Sequence, residues 1–176
     1  MVETEERIEK ARAVAEVRLA CTQFADLYYF FVKVLRDEFG DAKTMDICRK
    51  ALFARAHERG MEMRERAAAQ GVQGTPENIN SFKDIPYLGW VKAMGNKHCP
   101  YGESWLKRIE GEPWFRAFAS YYCDVNDTTV GEVFLQNHSH KILQNVVNGD
   151  PTCARSYFPD KKVADGEYTY ADPAHS

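Results

Sequence analysis

The chain has 176 residues, of which 44% are hydrophobic and 12% aromatic. This length and composition fit one domain with a sizeable core and exclude a chain that is disordered throughout. The formal net charge is -3, so the sequence has no electrostatic footprint for nucleic acid or for an anionic membrane. We therefore expect neither nucleic acid nor a membrane as a partner. From the length and composition we expect one domain over 1–158, followed by a C-terminal tail over 159–176.

The sequence also indicates the cellular compartment of the protein. No hydrophobic run approaches the ~18 residues of a membrane-spanning helix, and the acidic start of the chain differs from a secretion signal. The five cysteines are odd in number, widely spaced and without a Cys-x-x-Cys pair. This pattern predicts reduced thiols rather than a disulfide framework. We therefore expect a cytoplasmic protein.

Hydrophobic residues at a three-four spacing predict a first helix of about 35 residues that ends at Phe39-Gly40. The expected buried face consists of Val14, Val17, Cys21, Phe24, Tyr28, Phe31 and Leu35. This face is widened by Leu27, Phe30 and Val34. Because so wide a hydrophobic stripe needs cover along its length, we expect the helix to pack within the monomer or to form a homodimer.

A second helix is predicted from Ala42 to about Gln70, with Gly71 at its end. Its charged tract between Arg55 and Arg66 is typical of a solvated helix face. Cys48, like Cys21 in the first helix, occupies a hydrophobic helical position, where a thiol usually acts as a small core residue.

The second half of the chain is more mixed in composition. After a loop over 71–86 we expect an extended segment around Leu88 to Met94, then a turn and two further helices, around Ser104 to Leu106 and within 114–134. An alternating pattern from His140 to Val147, the turn at 148–150 and a return over 152–158 predict a β-hairpin. In the returning strand Cys153, Arg155 and Tyr157 share one side. The fold class expected is therefore α+β, with long N-terminal helices packed on a small antiparallel β-sheet.

Three cysteine-containing segments carry a family resemblance. They are Cys99-Pro100-Tyr101, Tyr122-Cys123-Asp124-Val125-Asn126 and Gly149-Asp150-Pro151-Thr152-Cys153. In order and spacing they resemble the Cys-Pro element, the aromatic-Cys-acid-aliphatic-Asp helix and the Gly-Asp-x-x-Cys hairpin of the L-2-amino-thiazoline-4-carboxylic acid hydrolase family. Asn126 stands where that family usually has Asp. The hairpin is also similar to that of small vinyl-reductase-type ligand-binding domains.

The resemblance implies a hydrolase that opens a carbon–nitrogen or carbon–sulfur bond of a small cyclic amidine-like carboxylate, such as an amino-thiazoline carboxylate, by cysteine-assisted attack. The alternative is a small-molecule-binding or sensing domain of the vinyl-reductase type without hydrolytic activity. In a third hypothesis the long first helix serves oligomerisation, and the protein has no catalytic activity.

Such a hydrolysis needs a nucleophile, a group that moves protons and a cation that holds the carboxylate. The candidate catalytic residues are Cys99, Cys123, Asp124, Cys153 and His98. The candidate substrate-binding residues are Tyr101, Asn126, Asp127 and Arg155. Further candidates for proton transfer are His138 and His140, whereas Arg116 fits an ordinary surface role.

No cofactor is expected, and a metal site is the minority hypothesis. The three cysteines of the family-like segments, together with His98 or His138, are ligand types that zinc prefers, and an open coordination position would activate water. Their spacing is not that of a zinc finger.

Overall fold

The computed structural model describes residues 8–90 and 99–159. The fold is α+β, as predicted: 72% of it is helical, and it contains a small two-stranded antiparallel sheet. In chain order the helices are α1 (Lys10–Ala69), α2 (Ile79–Phe82), α3 (Pro100–Gly111) and α4 (Phe115–Leu135), and the strands are β1 (His138–Gln144) and β2 (Ala154–Pro159). Within the described part of the chain, no helix has the length and hydrophobicity that crossing a membrane requires.

The described residues form two compact units. Unit 1 contains 8–48, 85–90, 99–120 and 144–153, and unit 2 contains 49–84, 121–143 and 154–159. The single domain expected over 1–158 stays a prediction, and the tail from 160 onward lies outside the described residues.

Glycines end both N-terminal helices where the sequence predicted. Gly40 interrupts α1 with φ of 75° and ψ of 169°, so the helix consists of two segments, 10–39 and 41–69. Gly71 follows the second segment with φ of 72°. A positive φ is easily adopted by glycine, because a Cβ atom would be strained there.

The buried face of the first α1 segment differs from the predicted one. Its fully buried positions are Val14, Cys21, Ala25, Tyr29 and Val32. The predicted core residues Phe24 and Phe31 are exposed, as are Leu27, Phe30 and Val34. The prediction of the face was therefore wrong at these five positions. The helix has hydrophobic residues on two opposite sides, and the side with the small Ala25 is the one covered.

Unit 1 is built around aromatic side chains. The Trp105 indole of α3 donates a hydrogen bond of 2.9 Å to the carbonyl oxygen of Ala25, which draws α3 against α1. Phe115 of α4 packs edge-on against Tyr29 with ring centroids 5.0 Å apart. Cys21 and Cys48 are buried in this unit, which confirms their predicted core role. Burial raises the pKa of both thiols.

Unit 2 has its own hydrophobic core, which joins the second α1 segment, α2 and α4. It consists of Ala56, Met63, Ala67, Ile79, Phe82, Val130, Phe134 and Leu135, with Tyr157 of β2 packed against it. Gly60 permits a close helix contact, because a Cβ atom there would lie only 2.6 Å from the Cβ of Val133. α1 and α4 can therefore approach at this point only without a side chain at position 60.

Two predicted extended segments were wrong in part. Residues 87–90, where a strand was expected to begin, form a 3₁₀ helix, Tyr87–Trp90, and the rest of that segment lies outside the described residues. The hairpin has a longer connection than a tight turn, because a second 3₁₀ helix, Val146–Asn148, follows β1. Cys153 consequently precedes β2 instead of lying within it.

The hairpin connection is stabilised by its own polar side chains. The Asn145 carboxamide accepts a hydrogen bond of 3.0 Å from the backbone N–H of Val147, and the Asp150 carboxylate accepts one of 2.7 Å from the backbone N–H of Asn145. Gly149 between them has φ of 99°. The Gly-Asp pair of the third family-like segment thus has a structural role in closing the connection.

Candidate functional site

The predicted site residues are divided between the two units. Cys123, Asp124, Asn126, Asp127 and Arg155 all belong to unit 2. Unit 1 contains Cys99, Tyr101 and Cys153. His98 lies outside the described residues. Unit 2 therefore holds the larger group.

Helix α4 places three of these residues on one face. Cys123 is three positions before Asn126 and four before Asp127, the spacings at which helical side chains are neighbours. Asp124 is likewise three positions before Asp127 and four before Thr128. This part of α4 therefore presents one thiol, of Cys123, and two carboxylates, of Asp124 and Asp127, within two turns of helix.

Arg155 of β2 binds Asp127. Its Nε donates a hydrogen bond of 3.0 Å to Asp127 Oδ2, and its Nη2 donates a second to the same oxygen. Both side chains are partly exposed to solvent. Two predicted substrate-binding residues are thus joined in one ion pair that a dissolved ligand can reach.

Asn126 links this ion pair to a buried arginine. Its Oδ1 accepts a hydrogen bond of 2.9 Å from Arg59 Nη1, and its Nδ2 donates one of 3.2 Å to Asp127 Oδ1. An aspartate at position 126 could accept from Arg59 but could not donate to Asp127 while ionised. The amide at position 126 is therefore matched to the carboxylate that follows it.

Arg59 and Asp84 form a buried ion pair beneath the α4 residues. Two hydrogen bonds join them, of 2.7 Å from Nε and 2.6 Å from Nη2, and the side chains are only 13% and 17% exposed. Burial opposes both charges, but the paired hydrogen bonds outweigh it, so the pKa of Arg59 is raised and the pKa of Asp84 is lowered. Both groups stay charged at neutral pH.

Lys83 adds a second cation next to this pair. Burial lowers the pKa of its ammonium, the positive charge of Arg155 lowers it further, and Asp127 partly opposes the shift. Among residues 8–90 and 99–159, the Lys83 ammonium has no ion pair within 4.0 Å. Lys83 is thus a cation that a carboxylate ligand could neutralise.

Asp124 has surroundings that favour its protonated form. Desolvation by the surrounding protein raises the pKa of the Asp124 carboxyl, the negative charge of Asp127 raises it further, and Arg155 opposes the rise. The residue is nevertheless at the exposed surface of α4. A raised pKa makes the carboxylate a stronger base than an ordinary aspartate, so Asp124 is the candidate for proton transfer.

His140 of β1 is a buried neutral imidazole. Its Nδ1 lies 3.0 Å from Thr128 Oγ1, its ring centroid lies 5.2 Å from that of Tyr157, and its Nε2 is buried without a hydrogen-bond partner among the described residues. Burial lowers the pKa of His140 to about 4, with Arg155 and Lys83 adding to the fall and Asp127 opposing it. His140 is therefore uncharged at pH 7.

The predicted residues of unit 1 have different surroundings. Cys99 lies at the N-terminus of α3, immediately before Pro100. The Tyr101 ring packs at 5.3 Å from that of Phe24 and at 5.9 Å from that of Trp105. Cys153 is half-buried in front of β2. Arg116, also in unit 1, donates a hydrogen bond to the carbonyl oxygen of Val147, which is a structural role.

The sequence prediction missed three charged residues of unit 2. Lys83 and Asp84 lie in a loop, and Arg59 lies inside the tract that was interpreted as a solvated face. That interpretation was wrong for Arg59, which is largely buried. The one sequence signal for it is its neighbour Gly60, because a glycine inside a helix often marks a close contact on that side.

The metal hypothesis finds no support in the described part of the chain, where no three His, Cys, Asp or Glu side chains are grouped so that they could hold a metal ion. His98, one of the ligands considered, lies outside that part.

Comparisons with known proteins identify no relative. No family model matches the chain, and neither a curated protein nor a solved structure matches it. The resemblance to the amino-thiazoline carboxylate hydrolases therefore remains a prediction from three short segments, and the chemistry has to be inferred from the residues of unit 2.

Proposed function

We propose that the chain is a hydrolase that opens a carbon–nitrogen or carbon–sulfur bond of a small cyclic amidine bearing a carboxylate, such as an amino-thiazoline carboxylate, at the α4 face of unit 2. The observation that supports this most is the charge arrangement around Asp127. The accessible carboxylates of Asp124 and Asp127 lie near the cations Arg155 and Lys83. A ligand that carries one positive and one negative group can therefore form an ion pair with each of its two groups.

The proposed substrate is a zwitterion, and each end has a complementary group. Lys83 and Arg155 bind the carboxylate, and the guanidinium of Arg155 can do so with two parallel N–H groups. The amidinium, which is cationic, binds beside Asp124 and Asp127. Asn126 holds the Asp127 carboxylate in place from the other side.

Cys123 is the proposed nucleophile, because it lies on the α4 face that carries Asp127. Its thiol adds to the amidine carbon while the thiol proton passes to the Asp124 carboxylate, and the ring bond breaks as Asp124 gives that proton to the departing nitrogen or sulfur. Water then attacks the carbon bound to Cys123 and loses a proton to the Asp124 carboxylate. The carbon–sulfur bond to Cys123 breaks as Asp124 returns this proton to the sulfur, which releases the opened product and restores the thiol.

Mass spectrometry tests this proposal directly. The full chain is incubated with 2-amino-thiazoline-4-carboxylate and with other five- and six-membered cyclic amidine carboxylates, and a product heavier by one water is sought. We expect Cys123→Ala to lower kcat at least about 100-fold and Asp124→Asn to lower it strongly. Arg155→Gln and Lys83→Met should chiefly raise KM, because they bind the substrate.

Matched variants separate chemistry from folding. Lys141→Met replaces an exposed lysine of β1 and should leave KM unchanged. Circular dichroism establishes that each variant keeps its helices. Loss of turnover in Cys99→Ala or Cys153→Ala with full activity in Cys123→Ala would contradict the assignment to unit 2. Saturable binding of these compounds without any product would favour the binding-domain alternative instead.

A further inference from the structure

The first α1 segment has a hydrophobic face that unit 1 leaves exposed. It consists of Leu19, Phe24, Leu27, Phe30, Phe31 and Val34, each between 45% and 62% exposed, and is called the outer face below. At 3.6 residues per turn these positions fall within an arc of about 140° on the side opposite to Val14, Ala25 and Val32. A face this wide and continuous is unusual for the surface of a monomer.

The spacing along the outer face is that of a helix pair. Leu27, Phe30 and Val34 of the outer face follow one another at intervals of three and four residues, the a and d positions of a heptad. The exposed Ala20 and Gln23 continue this spacing toward the N-terminus. This period keeps one seam of a helix facing a second helix of similar length. The seam runs for about four turns, so a suitable partner is a long straight helix with a matching seam.

The size of the outer face fits a protein interface. Aromatic side chains have roughly 150–250 Å² each to bury, so the three phenylalanines at about half exposure offer about 300 Å² per chain, to which Leu19, Leu27 and Val34 add. Stable interfaces bury about 800 Å² per partner, and the flanking residues of the helix supply the remainder. We propose that the outer face binds the outer face of a second copy of this chain, with the two helices antiparallel.

Charges at the two ends of the outer face determine the direction. Exposed Asp37 and Glu38 lie at its C-terminal end, and exposed Arg12 and Glu16 lie at its N-terminal end. In a parallel dimer Asp37 and Glu38 would meet their own copies, and four negative charges would repel. In the antiparallel dimer they lie beside Arg12 and Glu16, whose opposite charges cancel, so the repulsion between the two acidic ends is removed.

Sedimentation analysis of the full chain over a range of concentrations tests the dimer. We expect the wild type to be a dimer at about 100 μM or below and Leu27→Asp to raise the dissociation constant at least about 100-fold, because the charge enters the seam from both copies. Leu143→Asp is the control, since Leu143 is 55% exposed on β1 and lies outside the outer face. A monomeric wild type, or a Leu27→Asp variant that dimerises as well as the wild type, would overturn the proposal.

Charge reversal tests the direction separately. Arg12→Glu should weaken an antiparallel dimer about two- to fivefold at low salt, and adding Asp37→Lys and Glu38→Lys to it should restore the affinity. In a parallel dimer the triple variant would instead place like charges opposite each other at both ends and bind no more tightly than Arg12→Glu alone. That result would overturn the antiparallel arrangement.

Discussion

One arginine–aspartate pair in each unit shows how different the environment of an ion pair can be. In unit 1, Arg108 and Asp26 lie 3.2 Å apart with side chains that are 36% and 29% exposed. In unit 2, Arg59 and Asp84 lie 2.6 Å apart with side chains that are 13% and 17% exposed. The same chemical pair therefore lies at the surface in one unit and under the candidate site in the other.

This difference indicates what the charges do. A surface pair gains little from Coulomb attraction, because water and salt screen it. A buried pair is costly to form, because both charges lose water. Once it is formed, separating the two groups would leave an uncompensated buried charge, so the pair holds its hydrogen-bonded neighbours in fixed positions. In unit 2 the fixed groups are Asn126 and, through it, Asp127. In unit 1 the geometry depends instead on aromatic packing around Trp105.

Replacing Asp84 with Asn should give the largest effect on stability. Arg59 stays buried and keeps an acceptor, but it loses its countercharge, so we expect the free energy of unfolding to fall by about 3 kcal/mol. Urea denaturation at pH 7 measures this. A fall of less than about 1 kcal/mol would show that the buried pair does not hold unit 2 together.

The Arg59–Asp84 pair illustrates how far the sequence could predict the site. Asp127 and Arg155 were predicted as separate candidates, because Asp127 lies beside a cysteine-containing helix segment and Arg155 lies on the returning strand of the hairpin, on the side of Cys153. Arg59 was not predicted, because a run of alternating charges is typical of solvent-exposed helix and the neighbouring Gly60 alone does not indicate which charged residue is buried. Its partners Asp84 and Asn126 are 25 and 67 residues away in the sequence, so the pairing depends on tertiary packing.

The fold shows the same limit at a larger scale. The helix ends at Gly40 and Gly71 were predictable, since each depends on the backbone freedom of one residue. The buried side of α1 was not, because Phe24 and Phe31 lie on a stripe as hydrophobic as that of Ala25 and Tyr29. Periodicity identifies hydrophobic stripes, but the neighbouring helix decides which stripe is covered.

The pH dependence of stability should come from unit 2, with His140 as its main source in mildly acidic solution. Its pKa is lowered from 6.5 to about 4 in the folded chain. Between these two values the unfolded chain binds the proton and the folded chain does not. Stability is therefore complete above pH 6.5, falls by up to about 3 kcal/mol as the pH drops to 4, and falls no further through this group below that.

The variant His140→Phe tests the source of this dependence. Phenylalanine keeps a ring against Tyr157 but cannot take up a proton, so urea denaturation between pH 7 and pH 4 should show a much flatter curve than for the wild type. Leu143→Ala, which changes an exposed residue of the same strand that does not titrate, should keep the wild-type slope. Equal slopes for His140→Phe and the wild type would assign the acid sensitivity to other groups.

Asp26→Asn makes in unit 1 the same change that Asp84→Asn makes in unit 2, and we expect a much smaller effect. Asp26 accepts hydrogen bonds of 3.0 Å from Ser104 and 3.3 Å from Arg108 Nε, and an amide oxygen can accept both. The lost charge faces solvent, where Arg108 is readily hydrated, so the free energy of unfolding should fall by less than about 1 kcal/mol. The difference in the free energy of unfolding between the wild type and Asp26→Asn should be smaller still in high salt, because dissolved ions then screen the Arg108–Asp26 pair of the wild type. If Asp26→Asn destabilised the chain as much as Asp84→Asn, exposure would not be what separates the two pairs, and the special role of the buried pair under Asn126 would have to be abandoned.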